Sequence, residues 1–341
     1  MPDFTSRWSR QLILLLTLCL GPMAAAEAAA SRASTAARSK NRVAVPVKAV
    51  SKVKATVRRG RPAVVAAAPL SMGALAGLHG TRDALALKSS VAYVMDQDTS
   101  EVLLAKNSEA VLPIASLTKL MTAVVTLDSG ASLDEELEIS EADIDTEKGS
   151  RSRLSVGTRL TRREMLHLAL MASENRAANA LGRHHPGGLA AFVLAMNQKA
   201  RSIGMADTRY VEPTGLSSNN QSTAPDLARL VKSAYDYPLI RELSTSPEHA
   251  VEVRNRTLQF HNTNGLVRNP SWDIGLQKTG YIAEAGRCLV MQAQLAGRKL
   301  ILVFLDSAGK YSRIGDAERV RHWVEASSAS GGVAQMTGGR R

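Results

Sequence analysis

Three short clusters of residues in this chain hold groups suited to acyl transfer. Ser116 and Lys119 stand three apart in Pro113-Ile114-Ala115-Ser116-Leu117-Thr118-Lys119, where a helical run begins. At that spacing on a helix the two side chains share one face, so the amine reaches the hydroxyl. A lysine whose pKa is lowered by burial or by a cationic neighbour accepts the serine proton, and a helix N-terminus favours nearby negative charge. The spacing is common. It recurs at Ser51 and Lys54 and at Ser307 and Lys310, so by itself it assigns nothing.

The second cluster is Ser173-Glu174-Asn175, between two helical runs. A hydroxyl and a carboxamide two residues apart on a turn can relay a proton and hold a substrate amide. A plain helix cap is the alternative, since Ser-x-Asn also begins at Ser39, Ser217 and Ser218. The third cluster, Lys278-Thr279-Gly280, occurs once and falls in the strand-like run Leu276 to Ile282. Lys278 offers fixed positive charge and Thr279 a hydroxyl to a carboxylate, while Gly280 lets a substrate backbone approach closely. Alone, it would more readily describe a solvent-facing lysine before a turn. All three together, in this order and context, point to a serine hydrolase with a lysine base.

The elements that must position these groups follow from periodicity. Val91, Tyr93 and Met95 alternate, a polar turn spans Asp96 to Ser100, and Val102 to Ala105 completes a hairpin. Helical runs cover Ser116 to Asp128, Arg162 to Ala172, Leu189 to Ile203 and Ala224 to Ala234. Strand-like runs return at Ala250 to Phe260, Gly275 to Ile282, Leu289 to Leu295 and Leu300 to Leu305, and a helix near Ser312 to Glu325 closes the pattern. The order predicts an α/β (α+β) fold whose antiparallel sheet is assembled from both ends of the chain, with helices against it and in a second lobe.

On these motifs the chain resembles the low-molecular-mass penicillin-binding proteins of the D-alanyl-D-alanine peptidase family, and within it the endopeptidase type. The likeness covers roughly Val91 to Val324, including Pro113 to Ala123, Met171 to Ala178, Val211 to Leu216 and Gln277 to Gly280. It implies a β-lactamase/transpeptidase-like fold and hydrolysis of D-alanyl-diaminopimelate cross-links in peptidoglycan, inhibited by β-lactam antibiotics. It implies Ser116 as nucleophile, Lys119 as base, and Ser173 with Asn175 in proton relay and substrate binding. Lys278, Thr279 and Gly280 would hold the substrate, and backbone N–H groups of Ser116 and Tyr281 would form the oxyanion hole. No cofactor or metal is implied. Ile282 stands where the family leads one to expect a hydroxyl residue. The 61 residues after Gly280 accommodate two strands, a helix and a tail, rather than the C-terminal β-rich domain and membrane anchor of many carboxypeptidases in the family.

Charge and composition set the surroundings. The net charge of +12 is concentrated in residues 1–61, which hold twelve Lys/Arg against two acids, leaving 31 basic and 29 acidic side chains elsewhere. A nucleic-acid partner is therefore not indicated for the folded part. Arg7 and Arg10 precede the apolar run Leu12 to Leu20 and the stretch Ala24-Ala25-Ala26, the pattern of a cleaved secretory signal over 1–26 and so of a periplasmic protein. Residues 27–85 read as a basic disordered linker, with an anionic envelope surface as the partner its charge in 27–61 would suit. The catalytic domain is expected over 86–326 and a flexible tail over 327–341. Cys19 leaves with the signal, and Cys288 has no partner for an internal disulfide.

His184-His185 lacks acidic or thiol ligands at a recognised spacing, and adjacent helical residues diverge by about 100°, so no metal site is read there. Three rival functions share the motifs: a D-alanyl-D-alanine carboxypeptidase, a serine β-lactamase using Glu212, and an inactive peptidoglycan-binding protein. Glu212-Pro213 continues as Thr214-Gly215-Leu216 rather than as the Leu-Asn pair of class A β-lactamases, which favours the peptidase.

Overall fold

The structure is a computed structural model that describes residues 69–329 and 336–337. The expected signal and residues 27–68 of the expected linker lie outside the described residues. A short helix, α1 (Met72–Leu75), comes first, with Ser71 Oγ accepting from the Ala74 N–H. It packs on the main sheet: a Cβ on Gly73 would stand 2.1 Å from a carboxylate oxygen of Asp306. Built structure thus begins before residue 85, because a four-residue helix is too short to leave a periodic signal.

Strands β1 (Ser89–Asp96) and β2 (Val102–Lys106) form the expected hairpin. A two-residue strand, β3 (Leu112–Pro113), leads through a 3₁₀ turn at Ala115–Leu117 into α2 (Thr118–Asp128). The helical lobe follows. The pair β4 (Glu136–Glu138) and β5 (Arg159–Thr161) precedes α3 (Arg162–His167), which Thr161 and Glu164 open with a capping box. A π-helical turn, Leu168–Ala172, separates α3 from α4 (Asn175–Arg183), and α5 (Gly188–Ser202) packs beside α4. Strand β6 (Gln221–Ser222) pairs with β3 before α6 (Ala224–Tyr235) and α7 (Pro238–Thr245). The Ala250 to Phe260 run is a hairpin of its own, β7 (Glu248–Val253) and β8 (Arg256–His261), turned by Arg254 and Asn255 at positive φ. Three long strands complete the sheet, β9 (Asp273–Ile282), β10 (Gly286–Leu295) and β11 (Arg298–Ser307), followed by α8 (Ser312–Ala329) and β12 (Met336–Thr337). The helix runs past 326, and Met336 and Thr337 pair with Leu104 and Ala105, so the expected tail contributes to the fold.

The main sheet has the order β12-β2-β1-β11-β10-β9, antiparallel throughout except for β12 beside β2. Val91 pairs with Leu305 and Tyr93 with Val303, so the two ends of the chain meet in the middle of the sheet. Both faces are covered. Val91, Tyr93 and Met95 face the core shared with α2, α4 and α6, whereas Ala92, Val94, Phe304 and Leu302 pack on Ala317, Val320 and Val324 of α8. All eight β1 residues are consequently buried, as expected of a strand covered on both sides.

Candidate active site

The Ser116 turn is held by close backbone packing. Ala115, just before it, has φ +48°, and Thr118 Oγ1 donates to the Ala115 carbonyl at 2.9 Å. Gly215, at φ +83°, lies so close that a Cβ there would stand 1.9 Å from that carbonyl oxygen. On another side, a Cβ on Gly280 would meet Ser116 N and Ile114 O at 3.1 Å. Two glycines 65 residues apart in sequence thus bring a loop and a strand onto the serine's own backbone. Ser116 itself lies in the 3₁₀ turn, and α2 begins only at Thr118.

Lys119 is fully buried, and its Nζ donates to Ser116 Oγ at 3.0 Å, Asn175 Oδ1 at 2.7 Å and the Thr214 carbonyl at 2.6 Å. Burial pulls its pKa down to about 7, against the opposing pull of Glu212 and Glu174. A group balanced there is neutral often enough at physiological pH to take a proton from Ser116. Glu212 shapes this environment without facing the serine. Its carboxylate accepts from the backbone N–H groups of Thr214, Gly215 and Ser217 and from Asn220 Nδ2, which folds the loop that presents the Thr214 carbonyl to Lys119.

The π turn ends with Ser173 in the left-handed region, at φ +63°, and Glu174 rather than Ser173 occupies the cap position of α4. Ser173 closes the π turn as its C-terminal residue and is not the N-cap of the helix that follows. Asn175 turns toward Lys119 and donates from Nδ2 to Ser150 Oγ at 2.9 Å, whereas Ser173 turns toward Lys278. Glu174 is held by Ser152 Oγ at 2.6 Å, and burial raises its pKa.

Lys278 is not solvent-facing. It is fully buried on β9, and its Nζ donates to Ser173 Oγ at 3.0 Å and to the Thr279 carbonyl at 2.8 Å. Burial first, then the charges of Lys119 and Arg313, lower its pKa well below the usual lysine range. Thr279 Oγ1 lies 2.6 Å from Thr263 Oγ1. Tyr281 is 56% exposed, while Ile282 is buried in the core, so the side chain at 282 points away from the solvent-open face. Strand β9 is a terminal strand of the main sheet among the described residues, the kind of edge to which a peptide strand can add. Thr263 and Arg313 were not singled out in the sequence: neither belongs to a motif, and only the packing of loop and helix around β9 brings them in. His184 and His185 do not converge, with His184 Nδ1 on the Ala180 carbonyl and the His185 ring edge-on to Phe192.

All the sequence-read site residues meet in one place, with two buried lysines flanked by a serine each and a sheet edge beside the first serine. Such a site, on an antiparallel sheet with a helical lobe, is that of the penicillin-binding DD-peptidases and transpeptidases. The Streptomyces K15 DD-transpeptidase superposes with a TM-score of 0.66 at 27% identity, covering 70% of this chain and 98% of that one. Penicillin-binding protein D2 of Listeria monocytogenes, in a cefotaxime-bound form, superposes at 0.62 with 28% identity, covering 69% and 96%. The chain belongs to peptidase family S11, D-alanyl-D-alanine carboxypeptidase, whose model matches residues 79–309. It is 52% identical over 241 residues to a D-alanyl-D-alanine endopeptidase of Pseudomonas aeruginosa and 46% identical to one of Escherichia coli, in each case covering 70% of this chain and 78% of the relative.

Proposed function

We propose that the protein is a serine DD-endopeptidase that opens D-alanyl-diaminopimelate cross-links through an acyl-enzyme on Ser116. The observation that carries this reading is the 3.0 Å contact of Ser116 Oγ with a buried Lys119 whose pKa is about 7. In the first step neutral Lys119 takes the Ser116 proton as Oγ attacks the D-alanine carbonyl carbon. Backbone N–H groups of Ser116 and Tyr281 hold the oxyanion. As the C–N bond breaks, Ser173, bonded to the second lysine, gives its hydroxyl proton to the leaving amine and takes up the proton that Lys119 holds, so that the serine is restored and Lys119 is neutral once more. Lys278 and Thr279 grip the carboxylate next to the scissile bond, and the arriving negative charge restores the lysine's affinity for its proton. Water then cleaves the ester with Lys119 again as base, releasing the D-alanyl end and free Ser116.

The relatives named as endopeptidases support cross-links over terminal D-alanine as the main substrate. A second reading, D-alanyl-D-alanine carboxypeptidase, is favoured by the family description and uses the same grip. A β-lactamase is disfavoured because the Glu212 carboxylate is engaged by its own loop. β-Lactams are proposed as acylating inhibitors of Ser116. The basic, signal-like start of the chain supports secretion to the periplasm, with residues 27–61 suited to an anionic envelope surface. The test is digestion of purified cross-linked dimers and of uncross-linked pentapeptide monomers with the full chain, products identified by mass. Dimers cleaved faster than D-alanine is released supports the proposal; ready release of D-alanine with dimers left whole overturns it.

A further inference from the structure

The face of β9 that carries Thr279 continues past it into a surface that the reaction at Ser116 does not use. Thr279 and Tyr281 are two apart on a strand and so share a face. Tyr281, although next to Gly280 and the nucleophile's turn, leaves 56% of its surface to solvent. Directly across the register on β10 is Arg287, half-buried, with its guanidinium stacked on the Tyr281 ring at 4.5 Å from the centroid. Arg313, at the start of α8, lies near enough to repel both Arg287 and Lys278. No acidic side chain forms an ion pair with Arg287 or Arg313 among the described residues.

We propose that Tyr281 and Arg287 form a subsite for the anionic acceptor stem peptide, the part of a cross-link that leaves when the acyl-enzyme forms. The inference deepens the DD-endopeptidase reading and rests on it. A terminal D-alanine gripped by Lys278 and Thr279 ends at that grip and has nothing to place on Tyr281. A cross-link goes on, because the gripped carboxylate belongs to a diamino acid that is itself part of a peptide with further carboxylates. An aromatic ring with a guanidinium on one face offers that peptide a flat apolar platform and a bidentate partner for a carboxylate. The arginine is held in place by the ring, so little side-chain entropy is lost when the ligand binds. The subsite therefore selects cross-links by their leaving group.

The experiment compares the full-length wild type with Arg287→Ala, Arg287→Glu and Arg287→Lys on three substrates: a cross-linked dimer, an uncross-linked pentapeptide and benzylpenicillin. Dimer cleavage is expected to fall about tenfold in kcat/KM for Arg287→Ala and further for Arg287→Glu, mainly through KM, with partial retention in Arg287→Lys. D-Alanine release from the pentapeptide and the rate of penicillin acylation are expected to stay within about twofold, and the wild type's advantage on dimers should shrink with added salt. Unchanged dimer cleavage in Arg287→Glu overturns the inference, as does a parallel loss on all three substrates, which would mark Arg287 as structural. If the wild type leaves dimers whole while penicillin still acylates it, the DD-endopeptidase reading fails and this subsite with it.

Discussion

Ser173 Oγ accepts a 3.0 Å hydrogen bond from Lys278 Nζ, joining residues 105 positions apart. Two residues on, Asn175 turns the other way, to Lys119 at 2.7 Å. The left-handed backbone of Ser173 divides one short motif between two buried lysines. Burial lowers the pKa of both amines, and the charge of Lys119 lowers that of Lys278 further, so the site favours neutral amine.

Ser116→Ala is expected to abolish covalent labelling by benzylpenicillin while leaving the fold intact, because the side chain is small, half-buried and, among the described residues, bonded to Lys119 alone. Intact mass after incubation checks the first part and the melting temperature the second. In the wild type the adduct should persist for minutes or longer; rapid hydrolysis would instead indicate a β-lactamase.

Lys119→Ala should reduce the acylation rate by about 10² to 10⁴, the range for losing a general base. Lys119→Arg should not restore it, since guanidinium stays protonated at neutral pH. Near-normal acylation in the arginine variant would mean that the position supplies charge alone.

Below pH of about 7 Lys119 holds its proton and cannot accept another, so penicillin acylation should rise with pH through that value and then level off. Glu212 raises the Lys119 pKa, so Glu212→Gln is expected to move this rise to lower pH. It should also lower the plateau, because an amide cannot accept from all the N–H groups that fold the Thr214 loop. Stopped-flow acylation between pH 5 and 9, a range spanning that pKa by about two units on either side, separates the two effects. A rise that stays at the same pH would show that Glu212 does not act on the lysine.

Gly215→Ala is expected to destabilise the protein by about 2 kcal/mol or more and to slow acylation sharply. Its positive φ disfavours any Cβ, and that Cβ would strike the Ala115 carbonyl beside Ser116. Urea unfolding and acylation kinetics on the same variant measure both, and Gly204→Ala, strained by φ but with only ordinary contact to the Arg229 side chain, is the control for conformation alone.

The sequence by itself determined which groups are candidates for the chemistry and much of the scaffold. Ser116 and Lys119 lie one helical turn apart, so their meeting is local, and the hairpin at 89–106 and the long strands near the C-terminus follow from side-chain type and turn residues. The short α1 and α7, and the hairpin inside 248–261, were hidden because they are too brief or too interrupted to show a period. Only the tertiary structure decided what those groups are worth. Whether Lys278 is a surface charge or a buried hydrogen-bond donor depends on β9 packing under the helical lobe, and whether Ser173 opens α4 as its N-cap or faces that lysine depends on a π turn with no local signal. Thr214, Thr263 and Arg313 enter the site from loops and a helix far along the chain. Desolvation, which lowers the Lys119 pKa to about 7, is a property of everything packed around the amine, and no sequence spacing encodes it.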